Sequence, residues 1–124
     1  MFGATRAFSG FSVDDVAAAR RFYGETLGLS VTDLDGGLLR IDLGGEVPVL
    51  VYPKGDQHRP ATFTILNFPV EDVDAAVDAL AEKGLRPERY PGMPQDEKGI
   101  MRDNGPTIAW YTDPAGNVLS VIEA

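Results

Sequence analysis

Two stretches of this chain repeat each other. Val13-Asp14-Asp15-Val16 followed by Ala18-Ala19 returns as Val70-Glu71-Asp72-Val73 followed by Ala75-Ala76, at a constant offset of 57 residues. A second match, Gly45-Glu46-Val47 with Gly116-Asn117-Val118, falls near the end of each half. Self-similarity of this kind marks a supersecondary unit built twice, each copy needing a neighbour to cover its apolar face. Local patterning agrees. Thr5 to Val13 has strand composition and ends at Asp14-Asp15, which can cap a helix. Val16, Ala19, Phe22, Tyr23 and Leu27 then recur at three- and four-residue steps, giving one apolar helical face, and Gly28 supplies the stop. Apolar runs follow at 29–34, 38–43 and 47–52, separated by Asp35-Gly36-Gly37 and Gly44-Gly45, which are hairpin-type turns. The order then restarts. Phe63 to Val70 reads as strand, Asp72 as cap, Val73, Ala76, Val77 and Leu80 as a buried helical stripe, Lys83 as a cation at the helix's negative end, and Gly84 as the stop. Strands at 85–90, 107–112 and 118–123 complete the second half, with a turn at Asp113-Pro114-Ala115-Gly116-Asn117. Each half thus predicts βαβββ. The expectation is one α+β domain over 1–124, with module one at 1–55, a polar linker at 53–60 and module two at 61–124.

Composition bounds the partners. A chain of 124 residues buries about two thirds of the surface it exposes when unfolded, enough for one domain core. The net charge of -8, with no Lys/Arg cluster, opposes nucleic acid and anionic lipid. No apolar run approaches the ~18 residues of a membrane span, and the first eight residues lack the apolar centre of a signal peptide. The expectations are no nucleic acid partner, no membrane and cytoplasmic residence. The absence of cysteine removes disulfides, thiolate nucleophiles and Cys-based zinc sites, and leaves the redox compartment open.

At this point the residues resemble a family. Val13-Asp14-Asp15 with Phe22-Tyr23 and Leu27-Gly28-Leu29 is similar to the V-x-D…FY…LGL opening of the vicinal oxygen chelate superfamily, which includes glyoxalases, bleomycin resistance proteins and extradiol dioxygenases. Asp113-Pro114-Ala115-Gly116-Asn117 resembles the closing DPxGN turn of that superfamily, so the likeness covers essentially the whole chain. Thr64-Ile65-Leu66-Asn67-Phe68 and Ile108-Ala109-Trp110-Tyr111 resemble its small uncharacterised glyoxalase-like members. The resemblance implies that each module curls into a concave half-barrel, that two modules face each other around a pocket, and that the chain is a homodimer. It also implies where metal-dependent members place His, Gln or Glu ligands. Those positions are Phe8, Ile65 and Ser120, with Val49 as the internal match to Ser120, or Val47 or Val51 if the register slips by two. One hydroxyl among apolar side chains cannot replace the ligands that zinc, magnesium or manganese requires. His58, the only histidine, reads as an exposed linker residue. No metal and no cofactor are therefore expected.

A cavity floored by Phe8, Val49, Ile65 and Ser120 suits a small hydrophobic or aromatic molecule. Asn67, two residues from Ile65, either donates to such a ligand or satisfies neighbouring backbone. Trp110 is either a stacking wall or a core residue. The loop over 91–101 carries Met93 and Met101, which either close over a ligand as a lid or pack on the helix. Asp96 and Lys98 in that loop, with Tyr52, are the candidates for proton transfer, against the plain reading of solvated charges. The leading expectation is a metal-free binding protein for a small hydrophobic or aromatic molecule. A metal-independent lyase or isomerase comes second, and a regulatory or structural dimer with a filled pocket third.

Overall fold

The computed structural model describes residues 1–124, which form two compact units, Met1–Pro60 and Ala61–Ala124. In the first unit, strand β1 (Gly10–Val13) leads into helix α1 (Val16–Arg20), which widens into a π-helical turn over Arg21–Thr26. Asp15 caps the helix as expected, its carboxylate accepting from Ala17 N at 2.9 Å and Ala18 N at 3.2 Å. Strands β2 (Ser30–Leu34), β3 (Leu38–Asp42) and β4 (Val49–Pro53) follow. The sheet order is β1-β4-β3-β2, with β1 and β4 parallel and the remaining pairs antiparallel. Phe11, Val13, Val49, Val51, Leu39 and Ile41 are buried, as are Ala19, Phe22 and Tyr23 of the helical segment. Tyr23 joins the two layers, with its ring 5.7 Å from Phe11 and 5.1 Å from Phe22.

The second unit has strand β5 (Thr64–Val70), helix α2 (Val73–Glu82), and strands β6 (Ile108–Thr112) and β7 (Val118–Glu123), in the order β5-β7-β6. Asp72 caps α2 through Ala75 N at 3.1 Å. The helix ends in a paired backbone closure, Gly84 N to Ala81 O and Leu85 N to Leu80 O, both 3.0 Å, around a left-handed Gly84. Val73 and Val77 pack with Ile100, Ala109, Tyr111 and Val121, and Ala76 and Leu80 lie against the same cluster. The helical stripe read from the sequence is the face that packs.

Three expected elements differ. The first strand starts at Gly10 rather than Thr5, because Thr5 turns back on Phe2 O through both its N–H and its hydroxyl. The fourth strand starts at Val49 rather than Val47, after Pro48, which has no N–H for a ladder. The segment 85–90 is not a strand, so the second unit is βαββ. Pro87 lacks a donor there, and one ladder-like bond survives, Glu88 N to Trp110 O at 2.7 Å. Gln95 takes two further backbone groups, its amide bonding Glu88 O at 2.8 Å and Tyr90 N at 2.9 Å.

Candidate functional site

The second sheet presents Ala109, Tyr111 and Val121 to α2, so strand alternation turns Trp110, Ser120 and Asn67 to the other face. These three form one rung, because Ser120 is the register partner of both Asn67 and Trp110. Ser120 is 1% exposed and donates its hydroxyl to Asn67 Oδ1 at 2.6 Å. In that arrangement the exposed Nδ2 of Asn67 keeps both N–H donors for another acceptor. Tyr90 meets Trp110 edge to face, with centroids 5.7 Å apart at 78°. Beside them Thr112 donates to Glu88 Oε1 at 3.0 Å. Burial, and then the Glu88 carboxylate, push the Tyr90 phenol up, keeping it protonated. Ile65 sits in a β-bulge between the Thr64 and Leu66 pairings, so the two-residue period does not by itself set it on the face of Asn67.

The first unit shows that the internal match is one residue out of step. Gly10, which stands 57 residues before Asn67, pairs with Leu50, as Asn67 pairs with Ser120. Leu50 is therefore the counterpart of Ser120, and Val49 alternates onto the side of Val51 and Ile41, 7% exposed. Arg40 pairs with Leu50 as Trp110 pairs with Ser120. Phe8, Leu34, Arg40, Pro48, Val49 and Leu50 line a shallow recess of about 160 Å³. Phe8 is 62% exposed there, and Arg40 is held by Asp42 at 3.1 Å. Tyr52, exposed, pairs with Ser12 on the neighbouring strand. His58 is buried at 9% exposure rather than lying on a solvated linker. Its Nδ1 is 2.7 Å from Ser12 Oγ, which fastens the chain after β4 back onto β1.

The segment 91–101 is fastened as well. Asp96 Oδ1 accepts from Lys98 N and Ile100 N, both 2.9 Å, and its Oδ2 accepts from Arg102 Nε at 2.9 Å. Lys98 Nζ reaches Asp78 at 2.9 Å and Asp74 at 3.2 Å. Burial raises the Asp96 carboxyl, but the Ile100 N–H, the Arg102 guanidinium and the Lys98 N–H outweigh it and hold the group below its ordinary value. Hydrogen bonding to Asp78, reinforced by Asp74 against partial desolvation, raises Lys98. Both groups are thus held charged, far from the range in which a side chain exchanges protons at neutral pH. Met101 is buried and bonded both ways to Ile108, at 2.9 and 3.0 Å, so it belongs to the framework, whereas Met93 is 40% exposed.

The same network makes a pH prediction. Bonds from Arg102 and then Lys98 lower Asp74 from 3.8 to about 2. A depressed carboxyl contributes stability that is complete above 3.8 and is lost as pH falls toward 2. The gap in Tm between the wild type and Asp74→Asn should be constant above 3.8 and close as the pH approaches 2. A gap that persists at the acid end would show that Asp74 contributes through something other than its charge.

The sequence profile of the Glyoxalase/Bleomycin resistance protein/Dioxygenase superfamily matches residues 7–121. The chain belongs to this superfamily. Solved structures of the same fold include TnmS3, an antibiotic binding protein from Streptomyces sp. CB03234, at 24% identity and TM-score 0.67, covering 97% of each chain. The lactoylglutathione lyase from Agrobacterium tumefaciens is 23% identical with TM-score 0.66, covering 98% of this chain and 94% of that one. A glyoxalase family protein from Enterococcus faecalis is 22% identical with TM-score 0.67, covering 99% and 100%. Among curated proteins, none matches this sequence. Identities of this size establish the fold and nothing finer.

The positions that resemble the superfamily's metal ligands are poor in donors. Phe8, Ile65, Leu50 and Ser120 offer one hydroxyl among them, and that hydroxyl is donated to Asn67. No group of three His, Cys, Asp or Glu side chains stands in an arrangement that holds a metal ion. The donor set does not fit a divalent metal. The sequence reading misses Tyr90 and Glu88 beside Trp110. Their signal is hidden because 85–90 reads as a regular strand, whereas Gln95 folds that segment onto the edge of β6.

Proposed function

We propose that this superfamily member binds a small hydrophobic or aromatic molecule without a metal, seated against Trp110 and Tyr90 and oriented by Asn67. The carrying observation is the rung of Asn67, Ser120 and Trp110. It sets an aromatic wall beside an amide whose carbonyl is occupied by Ser120 and whose N–H donors remain available. An apolar surface with a few convergent polar groups is the common composition of small-molecule sites. Glu88 adds a negative charge beside the rings, which favours a ligand with a cationic group. The fold shared with TnmS3, described as an antibiotic binding protein, supports the same reading. The lyase or isomerase reading rests on Asp96, Lys98 or Tyr52, and the first two are locked in ion pairs and bonds. The first unit's recess, with Phe8 and Leu50, offers a second apolar surface of the same character. A homodimer is part of this proposal.

Native mass spectrometry on protein purified without chelator tests it, since one spectrum reports dimer, metal and retained molecule. The expected result is a dimer with an organic adduct and no metal. Trp110, the only tryptophan, then reports titration with the recovered molecule by its fluorescence. Asn67→Ala should weaken that binding about tenfold, the usual worth of one hydrogen bond. Stoichiometric divalent metal would overturn the proposal.

A further inference from the structure

A second cleft lies on the opposite side of the second unit's sheet, where α2 faces the chain that follows it, and encloses about 290 Å³. Its apolar wall is Val77 and Ala81 of α2 with Pro87. Three cations border it, and they are not alike. Lys98 is neutralised by Asp78 and Asp74 at 2.9 and 3.2 Å. Arg86 and Arg89 have no carboxylate partner, unlike the ion-paired Arg6, Arg20, Arg40 and Arg102. Arg86 Nη1 donates to Ala81 O at 3.3 Å, and Arg89 donates to the carbonyls of Asp96 and Glu97. A guanidinium has five N–H donors, so most of theirs are unspent. In a chain of net charge -8, two such groups on one cleft call for an anion.

A separate observation points to the same place. Tyr111 Oη is buried and has no hydrogen-bond partner. Tyr111 packs with Val77, which lines the cleft, and the charges that act on its phenol are those of Arg86 and Asp78, also of the cleft. Tyr111 does not itself line the cleft, and the exposed Arg86 at the cleft is held through one long bond. Burial pushes this phenol up to about 12, so it remains a donor at neutral pH. An unmade bond at a buried hydroxyl is costly, and a ligand oxygen would relieve it.

We propose that this cleft binds a small organic monocarboxylate, with its head between Arg86 and Arg89, its apolar body on Val77, Ala81 and Pro87, and Tyr111 Oη donating to the head once Arg86 turns toward it. Asp78 and Glu97 also border the cleft and repel a phosphate dianion more strongly than a monoanion. The site is independent of the Trp110 face, and Trp110 fluorescence is not its readout.

The test is titration of the full chain, amide-labelled for NMR, with benzoate, benzamide and inorganic phosphate. Benzoate should give saturable shifts at residues 77–81, 86–89 and 97–98, with a Kd of about 1 mM or below, and the other two should not saturate. Arg86→Ala, an exposed change, should weaken benzoate at least about tenfold. Tyr111→Phe removes a hydroxyl that bonds nothing, so it should keep the dispersed spectrum of the fold and still bind benzoate more weakly. Absence of saturation, an unchanged affinity in Arg86→Ala, or a response to benzamide or phosphate equal to that of benzoate would each overturn the proposal.

Discussion

Asp113→Ala is expected to destabilise the fold by about 3 kcal/mol, read as a drop in the urea midpoint at unchanged slope. Asp113 is 4% exposed, and its Oδ1 accepts from Ala115 N and Asn117 N, both 2.9 Å. Its Oδ2 accepts from Asn117 Nδ2 at 3.2 Å. Asn117, 2% exposed, passes the network on, its Oδ1 accepting from Ala61 N at 3.0 Å where β5 is approached. Alanine at 113 removes the acceptor of two backbone N–H groups and frees the Asn117 amide to turn, so the damage reaches both ends of the unit. Asp113→Asn keeps one acceptor oxygen but sets an NH₂ against Asn117 Nδ2, and should lose about half as much. A loss below about 0.5 kcal/mol for alanine would mean that water replaces the carboxylate and that the turn closes without it.

That turn shows what is legible in the sequence and why. Asp113 to Asn117 reads as a family signature, and its chemistry is local: a carboxylate bonding residues two and four ahead needs no knowledge of the rest of the chain. The caps at Asp15 and Asp72 and the stripe of α2 are readable for the same reason. Features that depend on distant partners are not. The sequence match makes Val49 rather than Leu50 the counterpart of Ser120, because a likeness between two loops carries no information on strand pairing. His58 looks solvated in its polar neighbourhood, yet Ser12, distant in sequence, draws it inside. Leu85 to Tyr90 has strand-like residues, but Gln95 supplies what a neighbouring strand would have supplied. The rung of Asn67, Ser120 and Trp110 is intermediate. Each member stands out singly, and only the register of β5 and β6 against β7 brings them together.

Gly99→Ala should cost about 3 kcal/mol, from two sources that a second variant separates. Gly99 has φ +86, a left-handed conformation that costs a side chain about 1–2 kcal/mol. A Cβ at this position would stand 2.8 Å from Pro87 Cβ and 3.3 Å from Pro87 Cγ. The pyrrolidine ring cannot rotate away, and Gly99 cannot retreat. Its N–H donates to Asp96 O at 3.0 Å and its carbonyl accepts from Gln95 Nε2 at 2.9 Å. Gly92 is the control, with φ +82 and no atom within 4 Å of where a Cβ would stand, so Gly92→Ala carries the backbone cost alone. The difference between the two urea-derived losses measures the clash with Pro87. Equal losses would mean that the segment over 86–99 yields by a few tenths of an ångström without cost. That outcome would contradict the rigid fastening by Gln95, Asp96 and Arg89 from which both the edge of the second sheet and the cleft beneath Arg86 are built.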